Sequence, residues 1–267
     1  MSEATLPGLR VRERNEVAEW MRSAYFLGVR EARLALRTPA YLVPNLLMPI
    51  IFFFIIIGSL ERFAEAFGIG DFKSFYLPVS IVFAVTGGSA GLNLVTDIET
   101  GYFRKLLVTP TNRFAILFGA MGADFMRIVL QGLMIMIVGM AVGTTVETGV
   151  PGALALVGIA SIWGLAYSAI GFAMALKTGN SQIVGSMWAF QIPFLFLTTG
   201  FAPREGLSGW LETAARYNPM TYLLDGLRAF SLGDGGVVQV LIAIAIALAF
   251  GALTVTIAYR ALLGRLR

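Results

Sequence analysis

The chain has no Cys and no His, so thiol nucleophiles, disulfides, imidazole proton relays and the usual zinc and haem ligands are all absent. Any metal site would need oxygen ligands alone. Gly87-Gly88-Ser89-Ala90-Gly91 spells the G-x-S-x-G of a hydrolase elbow. That motif needs a strand-turn-helix and a general base, whereas this copy lies inside an apolar run and all three lysines, Lys73, Lys105 and Lys177, lie outside such runs. No lysine follows a Gly, as the phosphate-cradling P-loop demands, so the chain holds neither a catalytic residue nor an ATPase site of its own. The remaining polar chemistry is that of carboxylates, amides and guanidinium groups. Asp124, Arg127 and Gln131 recur at i, i+3 and i+7, which puts them on one helix face. In hydrocarbon an unpaired charge there would cost about 2.5 kcal/mol or more, so Asp124 and Arg127 are expected to neutralise each other. Such a trio either lines a path and joins helices or is a self-satisfied pair near the end of a span.

The elements that carry these residues are membrane helices. The 267 residues are 57% hydrophobic and 13% charged, with a mean hydropathy of +0.77, far above a soluble domain. A pI near 9.6 would suit nucleic acid in a soluble protein, but these arginines sit beside apolar runs, where they set topology, and nucleic-acid binding is set aside. No short basic leader is expected, because about forty residues rich in charge precede the first apolar run. Between Glu16 and Arg37, Val17, Trp20, Met21, Ala24, Leu27 and Leu34 form one stripe, which predicts an amphipathic helix along the membrane surface. Six runs can then cross about 30 Å of hydrocarbon: Tyr41 to Leu60, Phe75 to Thr96, Phe114 to Val142, Pro151 to Leu176, Ile183 to Ala202 and Val237 to Tyr259. They lack barrel-strand alternation, so the expected fold is all-α: one domain over 1–267, with a tail and interfacial helix at 1–40, a six-span bundle at 41–259 and a tail at 260–267. Lys and Arg number 14 in one set of alternate segments and 5 in the other, which places both termini in the cytoplasm. Weaker polar or kinking positions are Asn45 with Pro44 and Pro49, Asn93, and Gln191 with Pro193. Gly87-x-x-x-Gly91 and Gly139-x-x-x-Gly143 are candidates for close helix packing.

Two connections are too patterned to be plain loops. Asp97 to Arg113, DIETGYFRKLLVTPTNR, puts Ile98, Tyr102, Phe103, Leu106 and Leu107 on one helix face and Glu99, Arg104 and Lys105 on the other, and Thr109-Pro110 stops it. By the charge count this segment is cytoplasmic, where a short amphipathic helix either lies in the interface or docks a partner. Pro203 to Gly236 breaks at Asn218-Pro219, with Asn suited to cap and Pro to open a helix. After the break Met220, Leu223, Leu224, Leu227 and Phe230 make an apolar stripe, with Asp225 and Arg228 expected opposite it. The two pieces either form a re-entrant helical hairpin in the outer leaflet or lie flat on it.

These motifs resemble the membrane subunit of a type-2 ATP-binding-cassette (ABC) exporter, in the branch of the daunorubicin and multidrug-resistance permeases. The cytoplasmic pattern E-x-G-x-x-x-x-L-x-x-T-P matches at Glu99, Gly101, Leu106, Thr109 and Pro110, and the outer N-P-x-x-Y element matches at Asn218, Pro219 and Tyr222. With the surface helix, the resemblance covers nearly the whole chain. It implies a coupling helix that contacts a cytoplasmic ATPase, with Glu99, Gly101, Tyr102, Arg104, Leu106, Thr109 and Pro110 as the coupling residues. It also implies an outer gate at Tyr217, Asn218, Pro219, Met220, Tyr222 and Leu223. ATP and Mg would belong to two copies of the partner, and two docking sites point to a homodimer. The cargo expected is a small amphipathic compound, drug-like or lipid-like, drawn from the cytoplasm or from the inner leaflet of a bacterial plasma membrane. A lipid-linked polysaccharide or glycolipid is the alternative. A secondary transporter is less favoured because Asp124 is the only acidic residue well inside a span.

Overall fold

The computed structural model describes residues 39–66, 68, 70–87, 91–101, 103, 113–233 and 235–265. All regular structure among them is helical: α1 (Pro39–Ala66), α2 (Phe72–Thr86), α3 (Leu92–Glu99), α4 (Arg113–Ala141), α5 (Gly149–Thr178), α6 (Ser181–Gly185), α7 (Trp188–Phe196), α8 (Gly209–Tyr217), α9 (Pro219–Ser231) and α10 (Val237–Arg265), with a 3-10 turn at Arg204–Gly206. Four stretches are long and apolar enough to cross a membrane: Leu46–Ala66, Ala120–Ala141, Gly149–Thr178 and Val237–Arg265. The expected surface helix lies outside the described residues.

α5 is the axis of the bundle. Its sequence is apolar on every side, the pattern of a helix surrounded by protein. It packs against α2, α3, α4, α9 and α10. Trp163 at its centre is fully buried, stacked on Phe250 of α10 at 4.6 Å and on Phe194 of α7 at 6.3 Å between ring centroids. α10, by contrast, keeps Leu241, Leu248 and Leu253 exposed, an outward apolar face suited to lipid. Lipid tails are as apolar as Leu, so the helices must hold together by close approach, and glycines supply it. A Cβ added at Gly164 would stand 2.7 Å from Val85 O of α2, and one at Gly226 would stand 2.6 Å from Gln239 O of α10.

Two expected spans are not continuous helices. The run from Phe75 to Thr96 is split into α2 and α3. Gly91, at φ +79°, opens α3 in the left-handed region and lies so close to the Gly171 carbonyl of α5 that a Cβ would collide with it. The run from Ile183 to Ala202 becomes α6, a turn and α7, then leaves the helix at Leu197. Hydropathy counts apolar residues and is blind to which carbonyls find partners, so it joined pieces that tertiary contacts separate. α10 continues as helix through Arg265, into the segment expected to leave the membrane.

Candidate functional site

Polar residues gather at three levels: the end holding α3 and α6, the middle of α4, and the end holding α8 and α9. At the first level Glu99 closes α3 and its Oε1 accepts the Ser181 backbone N–H at 3.0 Å. Asn180 caps the same short helix, its Oδ1 accepting from Gln182 and Ile183. The expected coupling residue Glu99 is thus tied to the start of the α6–α7 segment. Gly101 follows at φ +75° with no described residue within 4 Å of a Cβ placed there, and Phe103 is buried. Tyr102, Arg104, Leu106, Thr109 and Pro110 lie outside the described residues.

In α4, Arg127 Nη2 stands 2.6 Å from Asp124 Oδ1, Nε donates to the same oxygen at 2.8 Å, and Nη1 donates to Gln131 Oε1 at 3.0 Å. All three are drawn together on one helix face, and both side chains of the ion pair are nearly inaccessible. Asp124 Oδ2 and Gln131 Nε2 remain without a hydrogen-bond partner among the described residues. Gln191 of α7 makes a second interior contact, its amide donating to Phe83 O at 2.9 Å and to Thr86 Oγ1.

At the third level α8 and α9 meet at Asn218, which ends one helix and caps the next, its Oδ1 accepting from Met220 N at 3.0 Å with Pro219 in the first turn. Asn218 Nδ2 also donates to Phe194 O and Leu197 O, both at 2.8 Å, which satisfies carbonyls freed where α7 ends. Arg228 does the same for the irregular stretch beyond. Its Nη2 donates to Thr199 O at 2.7 Å and Gly200 O at 3.3 Å, and its Nη1 to Thr199 Oγ1 at 3.2 Å and Asp225 Oδ1 at 3.4 Å. Nε donates to Phe75 O at 3.3 Å, and the guanidinium lies 3.7 Å over the Phe75 ring. All five donors are therefore used. Backbone that leaves a helix inside a bundle needs partners from the protein, and Asn218 with Arg228 supplies them here.

One expectation for this end is corrected. Arg228 does not share an outward face with Asp225: it is buried at 7% exposure, while the Asp225 side chain is 36% exposed and also faces Arg204 at 3.8 Å. Of the expected gate residues, Met220 and Leu223 are fully buried within the chain, packed with α2, α5 and α10. The stripe that reads as a contact surface is the stripe by which an amphipathic helix packs onto its own bundle. Tyr217 is 82% exposed and Trp210 70%, whereas Tyr222 is half-buried, its hydroxyl donating to Arg216 O at 2.8 Å. Two of the four glycine candidates approach another helix closely: Gly91 meets α5, and Gly139 abuts Leu77 of α2. Periodicity alone hid Arg228, because an i, i+3 Asp-Arg pair is the usual mark of a solvated face.

Four helices long and apolar enough to cross a membrane, joined by connections that gather polar residues at both ends, define a helical bundle suited to a bilayer. The chain belongs to the ABC-2 type transporter family, whose model matches residues 22–232. It is 29% identical over 205 residues to a transport permease, ycf38, of Cyanophora paradoxa, covering 72% of this chain and 68% of that one. It is 27% identical to the daunorubicin resistance ABC transporter permease protein DrrB1 of Streptomyces coeruleorubidus, covering 74% and 71%. With the doxorubicin resistance ABC transporter permease protein DrrC of Mycobacterium tuberculosis it shares 24% identity, over 56% of this chain and 55% of that protein. The protein is therefore an integral membrane permease component, and the ATPase activity of such a transporter sits in a separate subunit.

Proposed function

We propose that the chain is the permease of an ATP-driven exporter of hydrophobic or amphipathic compounds, acting as a homodimer of six-span subunits with both termini in the cytoplasm. α2 with α3 forms one span and α6 with α7 another, joining the four unbroken ones. Two copies of a cytoplasmic ATPase, carrying ATP and Mg, engage the segment that begins at Glu99. The drug-like cargo is supported by the daunorubicin and doxorubicin resistance named for two relatives.

One observation carries the mechanism. The α6–α7 segment is held at one end by Glu99 through Ser181 N and at the other by Asn218 through Phe194 O and Leu197 O. A push on the coupling segment is thereby linked to the outer hairpin along one broken span. At the outer end Tyr217 and Trp210 are exposed and free to meet their symmetry mates, with Asn218 and Pro219 as the pivot and Tyr222 beside it. Met220 and Leu223 anchor the hairpin rather than seal it.

The test is vesicle reconstitution of the chain with the ATPase that co-purifies with it. ATP-dependent daunorubicin efflux is expected, and efflux driven by an ion gradient without ATP would overturn the reading. Glu99→Arg should uncouple ATP hydrolysis from efflux. Glu99→Gln keeps an acceptor for Ser181 N, so retained coupling in Gln assigns Glu99 to the internal link, and loss in both variants assigns its charge to the ATPase. Because no native Cys competes, Tyr217→Cys reports the hairpin directly. It should cross-link between copies at rest and lose that cross-link when ATP is trapped with cargo.

A further inference from the structure

We propose that the pocket between the C-terminal ends of α5 and α10 binds the phosphate headgroup of an anionic membrane phospholipid. The pocket holds about 530 Å³ and is lined by three basic side chains, Lys177, Arg260 and Arg265, and by apolar Leu176, Ile257 and Ala261, with no acidic residue among them. Helix-end cations are common, because they complement the negative end of the helix dipole. Here that role uses a single donor: Arg265 Nη1 reaches across from α10 to Leu176 O of α5 at 2.6 Å. Lys177 and Arg260 bond no carbonyl and pair with no carboxylate among the described residues. Three like charges converge on one concavity, an arrangement that an anionic ligand relieves.

The surroundings say what else the ligand carries. On α10, Leu253, Ile257, Arg260 and Gly264 fall at i, i+4, i+7 and i+11, a single helix face. Leu253 is 59% exposed and Ile257 41%, so the exposed apolar stripe runs along the helix into the basic pocket at its end. An acyl chain lying on Leu253 and Ile257 would deliver its headgroup to Arg260 and Lys177. Basic pockets between membrane helices are suited to this, and each Lys or Arg near a phosphate contributes about fivefold in affinity. An acidic protein segment would match the charge but not the apolar stripe. The assignment needs insertion in a bilayer but not export, dimerisation or a particular cargo.

The experiment uses the full chain purified in detergent, with lipid retention read by native mass spectrometry and the thermal midpoint read on adding phosphatidylglycerol, phosphatidylcholine or inorganic phosphate. Phosphatidylglycerol is expected to be retained and to raise the midpoint, and the other two are not. The Lys177→Gln/Arg260→Gln double variant should weaken phosphatidylglycerol binding about 25-fold. Gly264→Leu should weaken it without changing charge, since no described residue lies within 4 Å of a Cβ placed there and the added side chain fills the pocket. Arg216→Gln, an exposed arginine at the opposite end, is the control for general surface charge and should change nothing. Equal effects of the two lipids, or a double variant that binds like the parent, would overturn the proposal. A shift by inorganic phosphate equal to that by phosphatidylglycerol would make it a free-anion site and also overturn it. If the double variant keeps its lipid but loses the co-purifying ATPase, the surface serves a protein and the lipid assignment fails.

Discussion

Arg127 and Arg228 are both buried, and each follows an aspartate by three residues, yet they do different work. Arg127 closes its circuit within one helix, with Asp124 a turn before it and Gln131 a turn after. Arg228 spends four of its five donors on other elements, on Thr199, Gly200 and Phe75, and only one, at 3.4 Å, on Asp225. The difference follows from what each must satisfy. α4 is an unbroken helix whose backbone needs no outside help, so its charge need only be neutralised. The stretch after α7 has left the helix, and its bare carbonyls recruit a five-donor fork from α9.

The largest effect should come from breaking the clamp. Arg228→Leu leaves the Thr199 and Gly200 carbonyls unmet and should cost about 3–5 kcal/mol, read as a fall in the thermal midpoint of the purified chain. Arg228→Lys should recover little, because one ammonium cannot serve carbonyls on two elements. A near-silent Arg228→Leu would erase the contrast with Arg127. Next comes the α4 pair. Asp124→Ala or Arg127→Ala alone should each destabilise by about 2–4 kcal/mol, and the double change by less than either, because each single leaves one charge buried without its counterpart. Additive costs would show that the two do not neutralise one another, and a stable double variant that fails to transport would give them a place in the path.

Gly226→Val separates clamp from packing. Its Cβ would stand 2.4 Å from Ala243 Cβ and 2.6 Å from Gln239 O, so about 1–3 kcal/mol should be lost with every Arg228 donor still present. The smallest effect belongs to Asp71, which caps α2. Burial alone would raise its carboxyl, but hydrogen bonds from the Ser74 hydroxyl and backbone N–H and from Thr145 outweigh it and hold it below the usual carboxylate range. Asp71→Ala should cost about 1 kcal/mol at neutral pH. Because the folded state favours the ionised form, that contribution is present above an ordinary aspartate range of about 3.9 and fades as pH falls below it. A penalty that persisted undiminished into strong acid would mean that Asp71 acts through shape rather than charge.

The membrane class, the four unbroken apolar helices, the Asn218-Pro219 helix junction and the Asp124-Arg127-Gln131 face are local properties, set by residue type and by a period of 3.6, and the chain determines them without reference to anything distant. The absence of Cys, His and any P-loop likewise needs no structure to read. Tertiary structure decided the rest. Whether an apolar run stays one helix depends on partners far along the chain: Gly91 breaks its run against Gly171, and α7 ends where Asn218 and Arg228 can take over its carbonyls. The same cause decides the cover of α9, since an apolar stripe says that something covers it but not that the cover within the chain is α2, α5 and α10. Hydrophobic pattern records the demand for burial, and only the fold says which surface meets it.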